Sequence, residues 1–369
     1  MNATALREET RRTFLKDAGW GAAEAKPLPG DASTRRYIRL HMGSRTALLM
    51  DQPQNGETPT ASSSATPAER RALGYNALAR LAGSDCVRFM AAARYLRRAG
   101  IAAPDIYSAD AAQGLLLIED LGNDLYTDVL GSSGSDETTL YAAAIDALVR
   151  LHSDRAPATL APGIPLFAYD ETALIAETDL LMEWFLPAAI DRAASDGEAS
   201  EHRALWRAAI RLVCGGSVFV HRDYHAQNLL WRGDRSGLAR VGVIDFQDAV
   251  AGAPAYDIIS LLEDARRDVA PELAHAMTER YIAAAAADPL RFRTSAAVLA
   301  AQRNAKIIGI FARLANRDKK PRYLAHLARV WRYMEGDLAH PELRQLKAWY
   351  DRVVPKEARG ALKFPGEAA

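Results

Sequence analysis

Residues 219–248 carry carboxylate and amide side chains in a pattern that could do chemistry. Three short motifs lie there in this order: His221-Arg222-Asp223, Asn228 and Ile244-Asp245-Phe246. A carboxylate can orient a hydroxyl group and accept its proton, and an Asp together with an Asn supplies the oxygen ligands that a hard cation prefers. Each residue alone could be an ordinary polar loop residue. Together they meet the needs of phosphoryl transfer to a hydroxyl group.

Two short apolar runs flank a polar turn and indicate how these side chains come together. The runs are Asn228-Leu229-Leu230-Trp231 and Val241-Gly242-Val243-Ile244, and the turn covers 232–237. Apolar runs separated by a polar turn are typical of a β-hairpin. We therefore expect Asn228 and Asp245 to lie at the same end of this hairpin.

The joint pattern resembles the His-Arg-Asp…Asn catalytic loop and the Asp-Phe-Gly motif of eukaryotic-type kinases. Ile244-Asp245-Phe246 makes it most similar to the aminoglycoside-phosphotransferase branch. The resemblance implies ATP and Mg²⁺, with Asp223 as general base and Asn228 and Asp245 as metal ligands. It also implies an α+β, bilobal, protein-kinase-like fold with a small β-rich N-terminal lobe and a large helical C-terminal lobe.

The elements predicted along the chain agree with such a division. Helical patterns cover 3–18, 68–82 and 87–99, and strand patterns cover 37–40, 47–50, 105–107 and 115–118. We assign 1–118 to a nucleotide-binding lobe, 119–122 to a hinge and 123–369 to a catalytic and substrate-binding lobe. A stretch at 52–85 looks like an insertion that caps the small lobe.

The nucleotide site is predicted from position more than from composition. Gly30, Asp31 and Ser33 form a turn before a strand, where backbone N–H groups and a hydroxyl could cover phosphates. Of the arginines that follow, Arg35, Arg36 and Arg39, one could reach the phosphates. The hinge would give backbone hydrogen bonds to adenine through Glu119 and Leu121.

Two charged residues usual in kinases are missing together. The strand that usually carries a phosphate-binding Lys reads Leu48-Leu49-Met50-Asp51, and the helix that usually supplies its Glu partner, 87–99, has no acid. Loss of both leaves neither charge buried without its partner. Another group, an Arg of 35–39 or backbone N–H groups, must then hold the triphosphate.

A narrower resemblance covers about 28–335. Gly30-Asp31-Ala32-Ser33-Thr34-Arg35-Arg36-Tyr37, His221-Arg222-Asp223-Tyr224 and Ile307-Ile308-Gly309-Ile310-Phe311 stand in this order. This set is similar to the anomeric N-acetylmuramate/N-acetylglucosamine kinases of bacterial peptidoglycan recycling. The resemblance implies transfer of the ATP γ-phosphate to the C1 hydroxyl. The candidate sugar-binding residues are polar or aromatic side chains: Asp223, Gln247, Asp248, Trp184, Glu183, Tyr256 and Arg303.

Two other functions stay open at this stage. The acceptor could be an aminoglycoside, choline or homoserine. A cationic acceptor would need acidic residues around it, such as those at 171–183: Glu171, Glu177, Asp179 and Glu183. The same acids are also typical of a solvated helix face. The absent Lys also allows a pseudokinase that binds nucleotide without turnover.

Composition limits the partners. The chain of 369 residues has a formal net charge of zero, which predicts no nucleic-acid or membrane partner. Its two cysteines, Cys86 and Cys214, are expected to be buried and reduced. With no secretory signal or long apolar run, we expect a soluble, cytoplasmic monomer that binds a small-molecule sugar.

Overall fold

Five antiparallel strands and four helices form the N-terminal part of the chain. The computed structural model describes residues 3–29, 35–53, 60–132, 136–360 and 362. The strands, in spatial order β1-β2-β3-β5-β4, are β1 (Glu24–Pro27), β2 (Arg36–Met42), β3 (Arg45–Asp51), β4 (Ile106–Asp110) and β5 (Leu115–Ile118). The helices are α1 (Ala3–Asp17), α2 (Pro67–Leu73), α3 (Tyr75–Leu78) and α4 (Cys86–Arg98).

The sheet is covered on both faces because its strands alternate buried side chains between them. Leu40, Ala47 and Leu49 pack with Phe14 and Trp20 in a small core beside α1. Other strand residues, among them Met50, Leu116 and Ile118, belong to a core shared with α4 and the C-terminal lobe. The sheet therefore shares a hydrophobic core with the predicted hairpin at 228–244.

Helix α1 supplies two arginines that pair with the carboxylate at the end of β3. Asp51 is almost fully buried at the end of this strand. Arg7 donates to it from Nε at 2.9 Å, and Arg11 lies 3.5 Å away. The carboxylate at this position is thus neutralised by the N-terminal helix, a pairing that the sequence patterns did not indicate.

The predicted helix at 68–82 is wrong in its continuity. Gly74 has φ of +101° and separates α2 from α3. Residues other than glycine rarely adopt this backbone conformation. Gly74 therefore ends α2 and precedes the start of α3. Glu69 and Thr66 form a capping box that fixes the start of α2.

The segment before α4, which the sequence predicts to cap the small lobe, also contacts the large lobe. Arg70 forms an ion pair with Asp170 at 2.5 Å. The backbone N–H of Ala82 donates to Asp248 at 2.6 Å. The described part of this segment therefore links the two lobes.

The C-terminal part is largely helical. Its helices are α5 (Tyr126–Leu130), α6 (Glu137–Leu151), α7 (Glu171–Leu180), α8 (Leu186–Ile190), α9 (Asp196–Ile210), α10 (Ala255–Leu262), α11 (Pro271–Ala284), α12 (Pro289–Asn316), α13 (Leu327–Leu338) and α14 (Arg344–Val353). Three antiparallel strand pairs accompany them: β6 (Thr159–Ala161) with β7 (Ile164–Pro165), β8 (Val218–Val220) with β11 (Val250–Gly252), and β9 (Leu229–Trp231) with β10 (Val241–Val243). A β-rich lobe followed by a helical lobe agrees with the predicted fold class.

Helix α12 lies against α7 so closely that a glycine is required. A methyl group on Gly309 would lie 2.4 Å from the carbonyl carbon of Leu180 and 2.6 Å from the nitrogen of Leu181. Both atoms belong to the backbone, so they cannot move aside cheaply. We expect Gly309→Ala to lower the free energy of unfolding by about 1–3 kcal/mol, measured by urea denaturation.

A second helical glycine provides the control. A methyl group on Gly336 in α13 would meet no atom within 4 Å. Gly336→Ala should raise the free energy of unfolding by about 0.5–1 kcal/mol through helix propensity. Equal effects of the two substitutions would contradict the close approach at Gly309.

The prediction that both cysteines are buried is confirmed for Cys86 and is wrong for Cys214. Cys86 is buried and Cys214 half-buried, and both thiols are free. None of the helices in the described ranges is long and apolar enough to cross a membrane.

Candidate active site

The predicted hairpin at 228–244 is confirmed. Leu229 pairs with Val243 across the β9–β10 ladder. The N–H of Ile244 donates to the carbonyl of Asn228 at 3.0 Å, which extends the pairing by one step. Asn228 and Asp245 consequently lie at the same end of the hairpin.

The loop that carries Asp223 is held through its backbone by a buried carboxylate. Asp257, on α10, accepts hydrogen bonds from the N–H of His221 at 2.7 Å and the N–H of Arg222 at 2.8 Å. Arg222 has φ of +81°, a conformation that costs a non-glycine residue about 1–3 kcal/mol. Asp257 therefore stabilises a strained turn that presents Asp223.

His221 connects the loop of Asp223 to the end of the hairpin through its two ring nitrogens. Its Nδ1 accepts from the N–H of Asp223 at 3.3 Å, and its Nε2 lies 3.0 Å from the carbonyl oxygen of Ile244. These two contacts fix the tautomer with the proton on Nε2. The ring therefore joins the catalytic loop to the end of β10.

Below the loop, three charged side chains form a buried network. Glu177 is fully buried and pairs with Arg222 and, at 3.1 Å, with Lys306 of α12. Burial raises the pKa of the Glu177 carboxyl, but the positive charges of Lys306 and Arg222 lower it by more. The resulting pKa is about 2. The expectation that Glu177 belongs to a solvated helix face is therefore wrong.

Asp223 is kept ionised by its surroundings. Burial raises the pKa of its carboxyl, whereas the positive charges of Lys306, Arg222 and Arg303 lower it by more, so that the pKa is about 2. A carboxylate with this pKa is unprotonated at neutral pH. It is ready to accept a hydrogen bond from a hydroxyl group.

Asn228 and Asp245 offer oxygen atoms that suit Mg²⁺. The Asn228 Nδ2 donates to the carbonyl of Asp223 at 2.9 Å, which leaves Oδ1 as the atom that could bind a cation. Asp245 is partly exposed and accepts from Arg35 at 3.0 Å and from Gln247 at 3.1 Å. One carboxylate and one amide are a usual protein contribution to a magnesium ion whose other ligands are phosphates and water.

These residues share one cavity of about 220 Å³. Its walls come from the catalytic loop, the end of β10, the segment after α10, and α12. The lining residues are Asp223, His225, Gln227, Asn228, Asp245, Ala265, Arg266, Arg303, Lys306, Ile307, Ile310 and Phe311. A volume below the roughly 300–1,000 Å³ of pockets for drug-sized ligands suits one small ring.

The structure describes some of the residues predicted to bind the nucleotide. Gly30, Asp31 and Ser33 lie outside the described residues. Arg35 reaches Asp245 across the two lobes. Arg39 instead pairs with Asp120 at 2.7 Å, and so fixes the predicted hinge to β2.

The two residues of the predicted hinge, Glu119 and Leu121, differ in the surroundings of their backbone and side chains. The N–H of Glu119 donates to the carbonyl of Asp105 at 2.8 Å, so its own carbonyl is the group that could face adenine. Leu121 is half-buried, and its side chain lies beside Gly242 of β10.

Most predicted sugar-binding residues lie outside the cavity lining. Gln247 orients Asp245, and Asp248 accepts the N–H of Ala82. Trp184 packs against the core formed by α12, α13 and α14. Arg303 alone joins Asp223 in the lining, and Tyr256 lies behind it, 3.4 Å from Lys306 Nζ.

Sequence reasoning missed Lys306, Arg266 and the role of Asp257. Lys306 ends the polar stretch Gln302-Arg303-Asn304-Ala305-Lys306, which lies between small and apolar residues of α12, and such a polar stretch is a signal of buried partners. For Arg266 and Asp257 the sequence offers no comparable signal.

The arrangement defines a class of protein before any relative is considered: a two-lobed phosphotransferase of the kinase type. Solved structures show the same fold. Aminoglycoside phosphotransferase APH(2'')-Ib aligns with TM-score 0.56 and 14% identity over 89% of this chain and 96% of its own. A choline/ethanolamine kinase family protein from Mesorhizobium loti aligns with TM-score 0.55 and 15% identity over 93% and 98%.

The chain belongs to the phosphotransferase enzyme family, whose profile matches residues 24–293. Two curated relatives are similar over most of their length. The N-acetylmuramate/N-acetylglucosamine kinase of Caulobacter vibrioides is 45% identical over 97% of this chain and all of its own. The enzyme of the same name from Pseudomonas aeruginosa is 34% identical over 89% of each chain.

Proposed function

We propose that this protein is an ATP-dependent kinase that phosphorylates the anomeric C1 hydroxyl of N-acetylmuramate and N-acetylglucosamine. The observation that carries the proposal is the meeting of Asp223, Asn228 and Asp245 in one cavity. The names of the 45% and 34% identical relatives support the two sugars as acceptors. Such an activity belongs in peptidoglycan recycling in the cytoplasm.

In the proposed reaction, Asp223 orients the C1 hydroxyl and accepts its proton. The sugar oxygen then forms a bond to the γ-phosphorus while the bond from that phosphorus to the β-phosphate oxygen breaks, and ADP leaves. Mg²⁺ held by Asn228 and Asp245 would neutralise charge on the phosphates. Arg35 is the proposed substitute for the missing Lys, because it already lies 3.0 Å from Asp245.

The charges at the cavity favour a neutral or acidic acceptor. Arg266, Arg303 and Lys306 line it together with Asp223 and Asp245. Three of the four acids suggested for a cationic acceptor are engaged elsewhere: Glu177 in its buried network, Asp179 with Arg203 at 3.0 Å and Glu171 with Arg207 at 3.3 Å. The fourth, Glu183, is not among the residues that line this cavity. A polycationic aminoglycoside would therefore meet like charges.

The proposal is tested by ATP consumption with magnesium and a panel of acceptors. The panel contains N-acetylmuramate, N-acetylglucosamine, glucose, kanamycin and choline. Selective turnover of the two N-acetyl sugars to an acid-labile 1-phosphate is expected. Turnover only of kanamycin or choline would contradict the acceptor, and silence with all five would contradict the enzyme.

The ionisation of Asp223 predicts the pH dependence of kcat. With a pKa of about 2, this carboxylate should cause no loss of kcat between about pH 5 and 8. Lys306→Met removes a positive charge that lowers this pKa, so the acid limb of kcat should move to higher pH. In the wild type, ionised Asp223 contributes to stability until the pH falls through about 2. In Lys306→Met this contribution should disappear at a higher pH.

The matched variant for this experiment is Lys306→Arg, which keeps the positive charge beside Glu177. Its acid limb should stay near that of the wild type. An unshifted acid limb in folded Lys306→Met would contradict the role of Lys306.

A further inference from the structure

Arg266 places a positive charge on the cavity wall, where the described part of the chain provides no anionic partner for its guanidinium group. It follows α10, and its backbone N–H donates to Asp264 at 2.9 Å. Its guanidinium group forms no ion pair or hydrogen bond with any residue in the described ranges. Since Arg266 lines the same cavity as Asp223, its side chain can meet a ligand there.

The other two cations of the cavity are held by the protein. Lys306 pairs with Glu177 at 3.1 Å. Arg303 is almost fully buried and donates from Nη1 to the carbonyl of Glu263 at 3.2 Å. Arg266 is half-buried and lacks such a tether, so its charge is the most available for an acceptor that carries an anion.

The two proposed acceptors differ in this respect. N-acetylmuramate carries a lactyl ether with a carboxylate on C3, whereas N-acetylglucosamine has a hydroxyl there. C3 is two ring positions from C1, and the lactyl ether extends outward from it, so the carboxylate contacts a part of the wall away from Asp223. Arg266 comes from the segment after α10, and Asp223 comes from the loop after β8.

We propose that Arg266 binds the lactyl carboxylate of N-acetylmuramate and thereby determines the preference for the acidic sugar. This inference rests on the function proposed above and assigns one specificity residue within it. A guanidinium group can give a carboxylate two parallel hydrogen bonds, a geometry that an ammonium group does not reproduce. N-acetylglucosamine has no group that needs this contact.

The test measures kcat/KM at saturating ATP for N-acetylmuramate, its neutral methyl ester and N-acetylglucosamine. Arg266→Gln should lower the value for N-acetylmuramate by about 10- to 100-fold, which is the usual worth of a hydrogen bond to a charged group. The values for the ester and for N-acetylglucosamine should change little. The wild type should prefer the acid to the ester, and the variant should lose that preference.

Two matched variants complete the experiment. Arg266→Lys should retain part of the preference, because the charge remains but the paired geometry is lost. Arg332→Gln removes an exposed arginine of the same lobe that pairs with Asp268 at the surface, and it should leave all three values unchanged.

The outcomes separate the inference from the function on which it rests. Equal losses with both sugars, or a rise in the KM of ATP that is the same with both, would overturn the role of Arg266 and leave the kinase intact. A wild-type protein inactive on both sugars would overturn the proposed function itself.

Discussion

Asp223→Asn is expected to lower kcat by about 10²- to 10⁴-fold, the usual contribution of a positioned general base. The amide cannot accept the proton of the sugar hydroxyl, although it has almost the same size as the carboxylate. ATP binding should persist, because Asn228 and Asp245 are unchanged. The measurements are steady-state kinetics with N-acetylmuramate and titration calorimetry with a non-hydrolysable ATP analogue.

A matched control lies in the β9–β10 hairpin that follows the loop of Asp223. Asp234 is exposed on its turn, and among the described residues it pairs only with the neighbouring Arg235, at 3.0 Å. Asp234→Asn should leave kcat unchanged. If Asp223→Asn kept full turnover, Asp223 would not be the base, whereas a wild type that binds ATP without turnover of any acceptor would favour the pseudokinase.

Glu177→Gln is expected to lower the free energy of unfolding by about 3–5 kcal/mol, since breaking a buried ion pair leaves uncompensated charge in the interior. Here two cations, Arg222 and Lys306, lose the same carboxylate. Because the pKa of Glu177 is lowered to about 2, its stabilising charge is present above the ordinary glutamate pKa. That stabilisation is lost as pH falls through about 2.

Urea denaturation at neutral pH measures the effect, with Glu171→Gln as its control. Glu171 starts the same helix and pairs with Arg207 at 3.3 Å, but both side chains are about half exposed. An exposed pair contributes about 0–1 kcal/mol. Similar losses in the two variants would show that the buried network is no more stabilising than a surface pair.

The hairpin at 228–244 was predictable because the sequence pattern that specifies it lies within the hairpin itself. Short apolar runs on either side of a polar turn place Asn228 and Asp245 together whatever surrounds them. The strands and the helices of the small lobe were predictable for the same reason, except β1, which the sequence patterns did not indicate. The break at Gly74 was missed because helical periodicity continues across it, while the backbone conformation depends on one residue.

The roles of the acids at 171–183 could not be read from their spacing. Glu177 and Asp179 stand two residues apart on α7, yet one is fully buried and the other faces Arg203 near the surface. The position of α12 against α7 decides which of them meets Lys306. That position depends on the close approach at Gly309.

The sequence by itself determined which residues are proposed for the chemistry of this protein, Asp223 as base and Asn228 and Asp245 as metal ligands, and it determined the order of the lobes. The tertiary structure decided the electrostatics. Lys306 and Arg266 are 83 and 43 residues from Asp223 in sequence, and only the packing of α10 and α12 places them around one cavity. The pKa of a buried carboxyl depends on charges within a few ångströms, and such neighbours come from the fold because their separation along the chain carries no information about distance.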